Sequence, residues 1–177
     1  SKLEGGLEME TAALDLAVLA RRAAEEFEWK ASERGVTLSV EAPEQVPPVT
    51  GSERWLGQGV ENLITNAVKF SRSGGGVTVR LSHKGEGVQV TVTDSGIGIP
   101  EADQARIFEK FFRASNRDAT GAPGTGLGLA ICRHIVARHG GRIWFESKEG
   151  VGTSFHFVVP TAKAGEAAGR PAAVRNL

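Results

Sequence analysis

The stretch SERWLGQGVENLITNAVKFS, residues 52–71, decides how this chain is read. Ser52 supplies a hydroxyl at an N-cap position, and the spacing predicts a helix over 52–71. At about 100° per residue, Leu56, Val60, Leu63, Ala67 and Phe70 make one apolar stripe. Asn62, Asn66 and Lys69 fall on another face, within roughly 60° of one another by the same period. A solvated helix face shows such residues for solubility alone. Two asparagines in mid-helix nonetheless ask for a reason, because Asn is a poor helix former. An Asn carbonyl can ligate a divalent cation, and a Lys ammonium can meet phosphate oxygens.

Working outward, residues 7–11 (LEMET) read as a short strand, 16–34 as a helix, 36–42 as a strand and 43–49 (PEQVPPV) as a proline-rich connection. Downstream, Val77, Val79 and Leu81 share one parity and Val88, Val90 and Val92 another, with a turn over 84–87, which predicts a β-hairpin. Residues 95–125 read as irregular chain interrupted by an apolar knot at Ile107, Phe108, Phe111 and Phe112. A helix is expected over 126–139, closed by Gly140 and Gly141. A second hairpin follows, with strands over 142–148 and 153–159. The Ala-, Gly- and Arg-rich residues 161–177 read as a disordered tail. Strands and helices neither alternate strictly nor segregate. The expected fold class is therefore α/β: a two-layer sandwich with helices on one face of a mixed, mostly antiparallel sheet.

The bulk numbers agree with one domain. The chain has 177 residues, 40% apolar and 24% charged, and its 21 Lys plus Arg equal its 21 Asp plus Glu. No net field announces a nucleic-acid or membrane partner, and no apolar run reaches the length of a bilayer span. Cys132 is the single cysteine, which excludes an intrachain disulfide and reads as a packed residue.

Two further motifs point to chemistry. Asp94 keeps the inward parity of Val88, Val90 and Val92, so the strand turns a carboxylate toward the core, where it is costly unless hydrogen-bonded. Gly96 and Gly98 follow at once in DSGIGIP, and missing side chains there would open a slot beside the acid. An Asp before Gly also makes ordinary turns. GTGLGL, residues 124–129, puts glycines ahead of a helix, where backbone N–H groups and the positive end of the dipole suit a phosphate. No Lys-Ser/Thr pair follows, so it is not a P-loop. Between these motifs, IFEKFFRASN (107–116) reads either as a short packed helix or as the anchor of a lid from which Lys110 or Arg113 reaches a terminal phosphate.

Taken together, these motifs resemble those of the GHKL ATPases, and within them the sensor histidine kinases. NLITNAVKF is similar to their N box, DSGIGIP to the G1 box, IFEKFFR to the F box, GTGLGLAI to the G2 box and EGVGTSF to the last glycine box. The likeness runs over about residues 7–160. It implies the Bergerat ATP-binding fold, with ATP and Mg²⁺ as cofactors. It implies Asn66 as the Mg²⁺ ligand with Asn62 nearby, Lys69 on phosphate, Phe70 bordering the adenine and Asp94 on the adenine amino group. It implies that Gly96, Gly98 and Ile99 shape that pocket, and that Gly124, Thr125, Gly126, Leu127 and Gly128 hold a lid, roughly 109–125, against the phosphates. It places Thr153 at the adenine end and Arg113 at the γ-phosphate, so that Asn62, Lys69 and Arg113 form the catalytic set.

In ATP-hydrolysing relatives a Glu at the position of Asn62 activates water. An amide is no general base, and Glu61 is turned about 100° away, so the site reads as built for transfer to a protein. The resemblance implies as partners a phosphoacceptor and dimerisation domain and a response regulator, with no nucleic acid and no direct membrane contact from this segment. The location is expected to be cytoplasmic, under a parent that an inner membrane can anchor. The acceptor hairpin is expected outside the chain, with residues 1–6 as its remnant, so that the chain binds Mg–ATP without phosphorylating itself. His83, His134, His139 and His156 read as structural or surface residues. Two alternatives stand beside this reading: a GHKL serine kinase or ATPase, and a nucleotide-sensing interaction module without turnover.

Overall fold

A computed structural model describes residues 9–116 and 124–165 of the chain. In chain order the elements are β1 (Ala12–Leu14), α1 (Leu16–Glu33), β2 (Thr37–Glu41), β3 (Val49–Gly51), α2 (Glu53–Phe70), β4 (Gly76–Lys84), β5 (Gly87–Asp94), a 3₁₀ segment (Glu101–Arg106), α3 (Gly128–Arg138), β6 (Arg142–Lys148) and β7 (Gly152–Pro160). Five strands form one sheet in the order β2-β4-β5-β7-β6. Only the β2–β4 pair is parallel; the others are antiparallel.

The two periodicities build the core. Val77, Val79 and Leu81 of β4, Val88, Val90 and Val92 of β5, and Phe155, Phe157 and Val159 of β7 are all buried on the face covered by helices. Leu56, Val60, Leu63 and Ala67 of α2 meet them. The opposite sheet face carries polar residues and a stacked Trp144–His156 pair, ring centroids 5.2 Å apart. There His156 Nε2 meets Glu146 Oε1 at 2.6 Å and its Nδ1 meets Thr91 Oγ1 at 2.9 Å, so His156 faces away from Phe155 and Phe157 as its parity requires.

Polar brackets set the helices. Asp15 caps α1 through Ala17 N–H (2.8 Å), and Ser52 caps α2 through Trp55 N–H (3.1 Å). Just past the end of α1, Arg34 donates to the carbonyls of Val68 and Lys69 at 3.2 and 2.9 Å, adding a donor to the carbonyls of the last turn of α2. His139, just past α3, takes the Ser52 N–H on Nε2 at 3.0 Å, while Nδ1–H donates to Ile135 O at 2.8 Å. This fixes its tautomer and joins the end of α3 to the start of α2. Cys132 is fully buried, its thiol donating to Gly59 O at 3.5 Å, and burial pushes its pKa up to about 12. It is packed, not reactive.

Several boundaries differ from the sequence expectations. The first strand lies at Ala12–Leu14 rather than 7–11, because its partner is β3, which the proline-rich reading of 43–49 passed over. Residues 7 and 8 lie outside the described residues. Helix α3 starts at Gly128 rather than 126, since Gly126 has φ +77 and cannot be helical. The tail reading covers 161–177, but Thr161 pairs with Val49 and Gly165 N–H donates to Thr161 O at 2.8 Å. Residues 1–6, 166–177 and the lid segment 117–123 lie outside the described residues.

Gly57 sits within α2 with nothing within 4 Å of a built-in Cβ. Gly57→Ala is expected to raise stability by about 0.5–1 kcal/mol in urea unfolding, since it removes only backbone freedom of the unfolded chain.

Candidate functional site

Helix α2 and strand β5 converge at their C-terminal ends, and the loops after β5 and before α3 close over the junction. The resulting cavity has a volume of about 380 Å³. Asn62, Asn66, Lys69 and Phe70 of α2 line it, as do Asp94, Gly98, Ile99, Arg113, Thr153 and the run from Gly124 to Gly128. Every site residue named from the sequence is on this wall except Gly96, which stands behind it, and Lys110, the alternative to Arg113 at the terminal phosphate, which does not line the cavity.

Asp94 is 7% exposed. Its Oδ1 accepts the Gly96 N–H at 2.9 Å, and β5 pairs it with Thr153 of β7. Burial raises its pKa to about 6, against the lowering effect of the Gly96 and Thr153 amides. At neutral pH it remains an ionised acceptor in an apolar recess formed by Ile97, Ile99 and Phe155. Gly96 and Gly98 are required there by close approach. A Cβ on Gly96 would lie 2.0 Å from Phe70 O, and one on Gly98 would lie 2.2 Å from Lys148 O, with φ already +69. The Ile97 N–H donates to Phe70 O at 3.1 Å, which clamps the recess to the end of α2.

At the other end the charge is positive. Lys69 has its pKa lowered, first by burial and then by the nearby Lys30 and Arg113 cations. A crowd of cations of this kind awaits an anion. Gly124 borders the same ammonium: a Cβ there would lie 3.7 Å from Lys69 Nζ. The first turn of α3, whose leading N–H groups have no helical partner, opens onto the cavity beside it, which suits phosphate oxygens. Asn62 Nδ2 donates to Gly128 O at 3.2 Å, so this amide also ties the glycine segment to α2.

Asp94 is the only carboxylate on the wall among the described residues. Glu61 turns to Glu26 on α1, and burial and that second carboxylate raise its pKa. No cluster of three or more His, Cys, Asp or Glu side chains suited to a metal occurs among the described residues. The donor set fits a Mg²⁺ held by one amide oxygen, water and phosphate rather than by a carboxylate cage. The sequence reading missed Thr65, Ile97, Ala114, Asn116, Leu129, Ile131 and Phe155 on the wall. The helical period places Thr65 beside Asn62 and Lys69, and Phe155 keeps the parity of Thr153. Nothing in the sequence singled out Asn116.

The family described as histidine kinase-, DNA gyrase B- and HSP90-like ATPase matches residues 51–163. The chain belongs to this family. Among similar proteins, the adaptive-response sensory kinase SasA of a Prochlorococcus marinus strain is 41% identical over 128 residues, covering 72% of this chain and 34% of that protein. SasA of Crocosphaera subtropica is 39% identical over 143 residues, covering 80% and 37% respectively. The chain thus spans about a third of the length of these relatives. Among solved structures, the nucleotide-free catalytic domain of histidine kinase ThkA superposes with a TM-score of 0.75 at 32% identity, covering 87% of this chain and 99% of that one. Full-length ShkA in complex with AMPPNP superposes with a TM-score of 0.78 at 33% identity, covering 89% and 33%. This ATPase-family domain therefore has the histidine kinase catalytic-domain fold, an α/β fold with a mixed, mostly antiparallel sheet. None of its helices, among the described residues, is long and apolar enough to cross a membrane.

Proposed function

We propose that this domain is the ATP-binding catalytic module of a sensor histidine kinase and transfers the γ-phosphoryl group of ATP to a histidine carried outside these 177 residues. One observation carries the proposal: a single cavity joins the buried Asp94 carboxylate to a line of amides and cations, with no general base between them among the described residues. Asp94 accepts the adenine amino group. Lys69, Arg113 and the leading amides of α3 receive the phosphates. Asn66 would offer an oxygen to Mg²⁺, which when bound would offset the charge of the phosphates. An imidazole nitrogen attacks phosphorus as the bond to the bridging oxygen breaks, and ADP leaves. No water needs activation, which agrees with an amide at position 62.

The acceptor is not sought among the four histidines present. His139 and His156 are engaged in the contacts described above, and His83 and His134 lie on the surface of β4 and α3. The solved complex of histidine kinase ThkA with response regulator protein TrrA, 29% identical to this chain with a TM-score of 0.72, supports a response regulator as the downstream partner. We place the module in the cytoplasm, where ATP is supplied.

The test mixes the chain with a separately expressed acceptor hairpin from a sensory kinase relative and labelled Mg–ATP. Acid-labile, base-stable phosphate on the hairpin is expected. Phosphoserine would favour a serine kinase, free phosphate alone an ATPase, and nucleotide binding without transfer an interaction module. In the same assay Asn66→Ala is expected to lower the transfer rate by about 100-fold and to flatten its dependence on Mg²⁺.

A further inference from the structure

The segment after the aromatic knot is posed by two anchors. Ser115 donates from both N–H and Oγ to Asp103 Oδ2, at 2.9 and 2.8 Å. One residue on, Asn116 Nδ2 donates to Gly98 O at 3.1 Å. That bond orients the amide, since the opposite assignment would set its oxygen against a carbonyl oxygen. Asn116 lines the nucleotide cavity, and among the described residues its Oδ1 is the one buried side-chain polar atom with no hydrogen-bond partner. A buried acceptor left unpaired is costly, and such an atom on a residue of a ligand wall marks where a donor is to arrive.

The chemistry of the ligand restricts that donor. Phosphate oxygens are acceptors and cannot satisfy a carbonyl oxygen. The adenine amino group is an N–H donor, but the ionised Asp94 in the recess competes for it as the stronger acceptor. The hydroxyls of the sugar are the remaining donors. Gly98, to which Asn116 is tied, belongs to the loop that frames the Asp94 recess, so Asn116 stands at the base-and-sugar end of the cavity. We infer that Asn116 is a sugar-reading residue, whose Oδ1 accepts a hydrogen bond from a ribose hydroxyl and so makes the site prefer ribonucleotides over deoxyribonucleotides. The inference rests on the nucleotide reading of the cavity.

The test is calorimetric titration of ADP, 2′-deoxy-ADP and 3′-deoxy-ADP against the native chain and Asn116→Ala, each without Mg²⁺ so that metal-bound water supplies no donor. The native chain is expected to bind ADP about 5- to 10-fold more tightly than one of the two deoxy forms, the worth of one hydrogen bond. In Asn116→Ala that ratio is expected to fall to about 1. Because the readout is a ratio within one protein, partial unfolding of the variant leaves it unchanged. A ratio that survives in Asn116→Ala, or a native chain indifferent to both hydroxyls, overturns the assignment while leaving the nucleotide site standing. Failure of the native chain to bind ADP at all overturns both.

Discussion

Replacing Asp94 with asparagine is expected to weaken ADP binding by about 100-fold while making the unliganded domain more stable. The carboxylate receives amides from Gly96 and Thr153 on one side and faces the recess on the other. An asparagine has one acceptor oxygen, and its NH₂ must point either at those amides or at the adenine amino group. Either choice opposes donor to donor, and losing a charged acceptor costs about 3 kcal/mol.

The gain in stability follows from linkage. The folded pKa of about 6 lies above the reference value of 3.8. Between those values the folded state holds a proton that the unfolded chain releases, so stability declines as pH rises through about 4 to 6 and stays at the lower level above. The full cost of the buried charge is about 3 kcal/mol. An asparagine avoids part of it, and a net gain of about 1–2 kcal/mol at pH 8 is expected, shrinking toward zero near pH 4. Urea unfolding at several pH values reads this directly. Native affinity for ADP is expected to fall as pH drops below about 6, because protonation removes the acceptor, whereas Asp94→Asn binds weakly at every pH. A variant that binds as the native chain does would remove Asp94 from adenine recognition.

Gly96→Ala is expected to be among the most damaging single methyls in the domain. The added Cβ would sit 2.0 Å from Phe70 O, 2.7 Å from its carbonyl carbon and 2.9 Å from Asp94 Oδ1. The first two are backbone atoms at the end of α2, which cannot swing aside as a side chain does. The Ile97–Phe70 hydrogen bond and the Gly96–Asp94 hydrogen bond lie at the same place. A loss of more than about 3 kcal/mol is expected, the range of overpacking combined with broken buried hydrogen bonds. Chemical denaturation checks it. Gly124→Ala serves as contrast: among the described residues its Cβ would meet only the flexible end of Lys69 at 3.7 Å. Stability is expected to hold while nucleotide affinity changes. Equal losses in the two variants would mean that the clash at Gly96 is relieved by backbone movement.

The contrast expected between Gly57 and Gly124 on one side and Gly96 on the other marks where reading from sequence stops. All three are glycines in or near functional motifs, and composition does not tell them apart. The distance to a backbone carbonyl does, and that distance exists only after α2 and β5 are docked.

By itself the sequence determined the elements whose periodicity is strong: α1, α2, the two hairpins and the α/β class. It also determined part of the cavity wall, because the helical period puts Asn62, Asn66 and Lys69 on one line and the strand period turns Asp94 inward. Those signals are local, set by backbone geometry over a few turns or residues. Tertiary structure alone decided the rest. Strand β3 exists because β1 pairs with it. Gly128 begins α3 because Gly126 is pinned against the backbone of Phe111 and Phe112. Glu61 is spent on Glu26. Asn116 reaches the cavity through its own bond to Gly98, 18 residues away, and that of its neighbour Ser115 to Asp103, 12 residues away. Each depends on a partner distant in sequence, and no residue records in its neighbours which distant group will satisfy it.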